Sequence, residues 1–449
     1  MKGVSLFLFH RDFRVVDNKS LNALHEVSPT IVPIFIFTPD QVDPKKNPYY
    51  NEKSIRFMKD CLADIPRLQI FYGETEKVLS SLFRNNNIEN IGFNLDYTPY
   101  ALKRTQKVEE LCKKYNVNVI AKEDYTVLDI NQYRDGGGFY KVFKPFFERV
   151  MTKKIDRPTT EEIAMSSKKL SVGSRFKIDY LLKNKGSTTN REDALLILKN
   201  KKLAKNYENE RNLPSIETTH LSKHIKYGTV SIREVFYAYK KYTELVRQVI
   251  WHDFYACLMK CLPVKDTIGG GNFKQLDLSW SHDKKLFAKW CEGETGFPII
   301  DAGMRQLNET GWMHNRVRLL VSNFLAVLIG IDWKWGEKYF AQKLVDYDIS
   351  SNNLNWQFSA QVGTDRTAFL RVYNPFIQSE KYDPDCVYIK KWVPELRNID
   401  NSVIHKWGEK WNEETKEEMK EETESTYPAP MIDYRDYSKK AKKLYKKSK

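Results

Sequence analysis

Long apolar runs are missing from this 449-residue chain: none approaches the roughly 18 residues of a membrane-spanning helix, so no membrane segment is expected. The opening "MKGVSLFLFHRDFR" turns charged after a few apolar residues, and a secretory signal is not expected. Cysteine is scarce. The six present (Cys61, Cys112, Cys257, Cys261, Cys291 and Cys386) form no C-x-x-C pair. Cys257 and Cys261 stand at helical i, i+4 spacing in an apolar run, which fits buried thiols better than a metal site. A soluble protein of a reduced intracellular compartment is the expectation. No G-x-G-x-x-G follows the first strand, so a dinucleotide site there has no support. There is no Walker loop, no H-E-x-x-H and no Ser/His/Asp arrangement. Tryptophan is absent from the first 250 residues although the chain holds ten. A residue type confined to one region suggests two domains with different work.

What is present begins with charge. The formal net charge is +15, which favours an anionic partner such as nucleic acid, with a merely solvated lysine-rich surface as the alternative. In residues 1–125 the runs "VSLFLFH", "TIVPIFIFT", "LQIFYG", "NIGFNL" and "VNVIAKE" alternate with helical stretches such as "NEKSIRFMKDCLADI" and "YALKRTQKVEELCKKY". Strands alternating with helices predict a parallel, Rossmann-like α/β sheet. Residues 126–190 read as an interdomain linker, with "MSSKKLSVGSRFK" exposed. Residues 191–436 read as helical almost throughout. Residues 437–449, with seven lysines in "KKAKKLYKKSK", read as a disordered basic tail that either binds phosphates or an import receptor or is simply solvated.

Four stretches could carry chemistry. In "GWMHNRVRLLVSNFL" (311–325) and just beyond it, Val317, Leu320, Val321, Phe324, Leu325 and Leu328 recur at spacings of three and four, the face of a buried helix. Arg318 lies on the flank of that face and needs a partner, for which an aspartate of "DYDISSNNLNWQF" (346–358) is a candidate. Asp346 and Asp348 could otherwise bind a metal, do acid–base work, or cap a helix. In "PSIETTHLSKHIKYGTVS", Thr218, Thr219 and Ser222 could meet a phosphate or could simply open a helix. In "QVIWHDFY", Trp251 lies on an amphipathic helix; His252 and Asp253 are adjacent and are not expected to face each other. His282 and His405 read as surface residues.

Taken together, "WCEGETGFPIIDAGMRQLNETGWMHNRVRLLVSNFL", "IDWKWGEKYF", "DYDISSNNLNWQF", "RVYNPFIQSEKYDPD" and "YIKKWVPEL" resemble the photolyase/cryptochrome family, with "HRDFRVVDN" and "YKVFKPFF" extending the likeness over nearly the whole chain. They look most like class I cyclobutane pyrimidine dimer photolyases. The resemblance implies an α/β antenna domain followed by an all-helical domain that binds FAD. It also implies light-driven electron donation from reduced flavin to a dimer flipped out of UV-damaged DNA by a monomeric enzyme. Tyr207, Thr218, Thr219, Leu221 and Ser222 match the stretch that holds the FAD phosphates and adenine side. Asp346, paired with Arg318, and Asp348 match residues near the flavin and its ribityl–adenine part. Asn352 matches the residue facing flavin N5. Trp356, Trp333 and Trp280 match the chain that carries an electron from the surface to the flavin. Trp251 and Asn315 match residues that contact the flipped dimer. Arg211, Arg316, Arg371, Gln378 and Lys381 match positions near the DNA backbone.

Several residues depart from the family pattern. Gln248 stands for the dimer-contacting glutamate, Phe358 for the second pocket tryptophan, Leu319 for the pocket methionine and His220 for the arginine of the phosphate segment. Thr98 stands where members that bind methenyltetrahydrofolate carry a glutamate, leaving the antenna open: a deazaflavin, a folate, another flavin or nothing. A cryptochrome-like blue-light sensor is the main alternative. A (6-4) photolyase is disfavoured, because those enzymes carry histidine at the position of Asn315.

Overall fold

The computed structural model describes residues 3–133, 138–176, 189–268, 271–274, 276, 278–364, 370–407 and 425–447. The chain divides into two compact units: Met1–Lys205 with Thr219–Leu262 and Asp348–Ser350, and Asn206–Thr218 with Pro263–Tyr347 and Ser351–Lys449.

The first unit is built on a parallel sheet of β1 (Val4–Leu8), β2 (Ile31–Phe37), β3 (Gln69–Tyr72), β4 (Ile88–Leu95) and β5 (Asn118–Glu123), in the order β3-β2-β1-β4-β5. Every residue of β1 and β2 is buried, as expected of strands covered on both faces. The helices start where the sequence supplies caps. Asn18 accepts from the Leu21 N–H before α1 (Lys19–Val27), and Asn51 from the Ser54 N–H before α2 (Glu52–Ala63). α3 covers Thr75–Asn85. Thr98 accepts from the Ala101 N–H and precedes Pro99, which opens α4 (Pro99–Tyr115). The strand order reverses between β1 and β4, and a cleft opens there at the strand ends. It is lined by His10, Arg11, Asp96, Tyr125 and Ile225 among others. Beside it, Gly228 at φ +62° passes so close that a Cβ would lie 2.6 Å from the Arg11 carbonyl oxygen. The exposed-linker expectation for 165–177 is corrected: Met165, Leu170 and Phe176 are buried, and the Ser166 N–H donates to the Ile31 carbonyl at 2.8 Å. Three apolar side chains scattered among polar ones were enough to dock the strip. Later in this unit come α5 (Phe143–Met151), α6 (Ser222–Tyr227) and α7 (Thr243–Cys261).

The second unit is helix-rich. It contains α8 (Pro298–Thr310), α9 (Asn315–Asn323), α10 (Trp333–Lys343), most of α11 (Ile349–Ser359), α12 (Pro375–Tyr382) and α13 (Tyr434–Lys447). The apolar face predicted for α9 is buried in full, and it continues through a π-turn at Phe324–Leu328. The tail expected to be disordered is instead α13. Tyr437, Ala441, Leu444 and Tyr445 recur at spacings of three and four, and Ala441 and Tyr445 are buried. The Tyr445 hydroxyl donates to the Ala360 carbonyl at 2.7 Å. The lysines between these residues hid an apolar stripe. His405, expected at the surface, is buried between Ser379 and Cys386, with Nδ1 2.8 Å from the Ser379 hydroxyl.

Gly336 in α10 is set by packing. A Cβ there would lie 2.2 Å from Cη2 of Trp356 and 2.5 Å from Leu325. Alanine is the better helix former by up to about 1 kcal/mol, but overpacking of this kind costs about 1–3 kcal/mol. Gly336→Ala is therefore expected to lower stability in a denaturant titration; a gain would show that the indole does not press on this turn.

Candidate functional site

The helical unit positions its polar residues from α9 outward. His314 caps the helix, its Nδ1 accepting from the Arg316 N–H at 3.2 Å, which leaves Asn315 exposed as the first helical residue. Arg318, just under one turn further on, donates through Nη2 to Asp346 Oδ2 at 2.9 Å and through Nε to the Met313 carbonyl at 2.8 Å. This is the pair anticipated from the sequence. The Asp346 side chain is 3% exposed, and its Oδ1 has no partner among the described residues. A buried acceptor left unmet costs about 1–3 kcal/mol, so Oδ1 marks a place where a donor is wanted.

On α11, Asn352 is oriented by a residue of α10. Its amide Nδ2 donates to Glu337 Oε1 at 3.0 Å and to the Glu337 carbonyl at 3.1 Å, which fixes the side chain with Oδ1 as its acceptor. Burial pushes the Glu337 carboxyl up to about 7, partly offset by hydrogen bonds from Asn352 and Tyr347. One turn along α11, Trp356 is buried and its Nε1 is unpartnered among the described residues. Its ring meets Phe340 edge-on at 5.0 Å and Trp290 at 6.1 Å, and it lies against Gly336, three residues from Trp333. Trp333 is also buried and donates to Asn272 Oδ1 at 2.8 Å, while Trp280 is half-buried against the same core.

The groups expected near DNA in this unit are partly exposed. The Arg316 guanidinium is held by Asn212 Oδ1 (2.6 Å from Nη2) and lies over the Tyr382 ring at 4.5 Å. Lys381 Nζ is 5.4 Å from that same ring, so the two cations share one aromatic support. Arg371 is exposed; Gln378, Leu319, Phe358, Arg211, Tyr207 and Thr218 are half-buried.

In the α/β-based unit, Trp251 lies face to face with Phe143 at 3.6 Å and 4°, with Phe254 edge-on at 5.5 Å. Gln248 is half-buried, and its Nε2 donates to the Glu244 carbonyl of its own helix at 3.3 Å. The expectation for His252 and Asp253 is corrected: Nδ1 lies 3.1 Å from Asp253 Oδ1, because the imidazole folds back along the helix. Asp253 also accepts from Tyr133 and the Val127 N–H, so it serves to anchor segment 127–133. Asp348 accepts from Arg11 Nη1 at 2.8 Å and from the Tyr125 hydroxyl at 2.6 Å. Burial alone would raise its carboxyl, but Arg11, Lys226 and His252 outweigh it and hold the group below the ordinary range. The two aspartates two apart in sequence therefore serve different arginines. His220, in place of an arginine, adopts φ +49°; Thr219 and His220 are half-buried, Leu221 is buried and Ser222 is exposed.

Two family models match. Residues 5–164 match the model described as DNA photolyase, and residues 245–447 match that described as the FAD binding domain of DNA photolyase. The chain belongs to the DNA photolyase family. It is 31% identical to the deoxyribodipyrimidine photo-lyase of Alkalihalophilus pseudofirmus, covering 98% of this chain and 97% of that one. An archaeal photolyase from Sulfolobus tokodaii, solved with two FAD molecules, superposes with a TM-score of 0.83 at 32% identity, covering 99% of both chains. A cryptochrome from Synechocystis superposes with a TM-score of 0.87 at 22% identity, covering 99% of this chain and 100% of that one; this likeness concerns the fold alone. The photolyase reading includes FAD as the cofactor, and the residues fit it. Asp346 Oδ1 is a buried acceptor and Trp356 Nε1 a buried donor, as a heteroaromatic ring system with N–H and C=O groups requires.

Sequence reasoning missed Arg11, Glu337, Asn212 and Gly336. Arg11, Glu337 and Gly336 lie inside motifs it singled out, and Asn212 adjoins Arg211; only their partners give them roles. Glu337 yields a test. Its folded-state value of about 7 lies above the ordinary 4.5, so its contribution to stability is full below pH 4.5 and is lost as pH rises through 7. That loss totals on the order of 3 kcal/mol, and the pH dependence is expected to flatten in Glu337→Gln when melting is followed against pH. An unchanged slope would place the titration elsewhere.

Proposed function

We propose that this photolyase repairs cyclobutane pyrimidine dimers in DNA, receiving the flipped lesion against its helical unit. The observation that carries the reading is Asn315, exposed at the tip of α9 next to an Arg316 already fixed by Asn212 and Tyr382. A carboxamide offers donor and acceptor together to a base edge, and the fixed guanidinium beside it is ready for phosphate. Bound reduced FAD supplies the photo-excited electron that opens the dimer. The protein's part is to hold and exclude. Asp346, tied by Arg318, offers Oδ1 as an acceptor. Asn352, tied by Glu337, offers Oδ1 in a fixed direction. Trp251, backed by Phe143, is a flat stacking surface with little freedom to tilt. Trp280, Trp333 and Trp356 supply oxidisable rings from half-exposed to buried positions, a route for electrons inward. Arg211, Arg316, Arg371 and Lys381 neutralise the backbone without reading sequence, and Gln378 adds a neutral hydrogen-bond donor.

The cleft at the ends of β1 and β4 is the candidate place for a second chromophore, whether a deazaflavin, a folate or another flavin, and the site holding none is the remaining alternative. Thr98, whose hydroxyl caps α4, carries no carboxylate for a folate. Gln248 and Phe358 favour one competing reading, a light sensor that keeps FAD without repair.

Reduced protein illuminated with blue light should restore an oligonucleotide carrying a cyclobutane thymine dimer and leave a matched (6-4) product untouched. Restoration of neither, with FAD bound and photoreducible, would move the protein to the sensor reading.

A further inference from the structure

The helix α13 has a second face. Opposite its apolar stripe stand Arg435, Lys439, Lys440, Lys442, Lys443 and Lys446, all exposed, against only Asp433 and Asp436 in the same segment. Among the described residues no salt bridge engages these lysines. Lys439 with Lys443, and Lys442 with Lys446, are like charges at i, i+4, each pair weakening the helix by about 0.2–0.5 kcal/mol. Solubility does not require that arrangement, since interspersed signs would serve it without self-repulsion. From Lys439 to Lys446 the helix rises about 10 Å, a length over which duplex DNA presents about six phosphate charges.

The helix is also continuous with the phosphate-facing groups of the same unit. Its first residue, Tyr434, packs edge-on against Phe376 at 5.9 Å. Phe376 lies in the first turn of α12, the helix that carries Gln378 and Lys381 and ends in Tyr382, the support of Arg316.

We infer that the exposed face of α13 is a second phosphate-binding surface, which engages the backbone of the duplex flanking the lesion. The inference rests on the proposed repair function, because it takes the substrate duplex as the occupant. Lysines suit this role better than bidentate recognition would: as point charges they add affinity without sequence preference. One rival occupant is the glutamate-rich stretch 409–424 of the same chain, which holds eight glutamates.

The test is fluorescence anisotropy with the FAD-loaded protein and its Lys439→Gln/Lys443→Gln/Lys446→Gln variant. The probes are a duplex of about three helical turns with one cyclobutane dimer, the same duplex intact, and a six-nucleotide single strand with the same dimer. On the damaged duplex the variant should bind at least about tenfold more weakly near 0.1 M salt. The slope of log Kd against log salt should fall by about two to three. Affinity for the short strand and repair of the saturated complex should not change. Equal duplex affinity and slope in the two proteins would overturn the inference. So would tighter binding by the variant, the sign expected if the glutamates occupied this face. Should the parent fail to prefer damaged over intact duplex, the repair reading falls, and the intact duplex still decides whether α13 contacts phosphate.

Discussion

The ion pair between Arg318 and Asp346 joins the first turns of α9 to the segment that leads into α11, and these two helices carry most of the groups that matter in the helical unit. A guanidinium on the flank of a buried face is tolerable only with a carboxylate and further acceptors. Asp346 and the Met313 carbonyl provide them. Because Arg318 takes one oxygen of Asp346, the other is left buried and directed, a polar atom kept available inside an apolar core. The same solution recurs in the α/β-based unit. Arg11 holds Asp348, and Arg14 and Arg233 share Asp124 and Asp17 in a network whose members are nearly all inaccessible to water. Removing one partner from such a network leaves an uncompensated charge, at about 3–5 kcal/mol, so these pairs set geometry more firmly than they add stability.

Around that polar framework the aromatic residues do two kinds of work. Trp290 and Trp407 are core residues whose indole N–H groups end on the Val321 and Pro428 carbonyls. Trp356 is packed just as tightly, against Phe340, Trp290 and the notch at Gly336, yet its N–H has no partner among the described residues. That difference in hydrogen bonding separates Trp356 from Trp290 and Trp407. Trp251 follows another pattern. Phe143 lies flat against its ring and Tyr255 is stacked beside it at 5.5 Å, so the ring's orientation is set by neighbouring aromatics.

Much of this was legible in the sequence. The five strands, the buried face of α9 and the Arg318–Asp346 pair follow from periodicity and the intolerance of a core for a lone charge. What stayed hidden has a common cause. Glu337 orients Asn352 and Arg11 holds Asp348 across long separations in the chain, and no local pattern marks such partners. Gly336 reads as a weak helix residue until the indole beneath it is seen. The docked strip around Met165, Leu170 and Phe176 and the docked helix α13 were masked by composition. In both, lysines outnumber the few apolar residues that decide the packing.

The most direct measurement is the FAD content of the purified protein and of Asp346→Asn, determined by absorbance of the released flavin, with circular dichroism confirming that both are folded. An Asp346 oxygen reserved for the cofactor predicts about one FAD per chain in the parent and most of it lost in the variant. A folded variant that retains the parent's full FAD content would contradict the account, because the buried oxygen at its centre would then bind nothing.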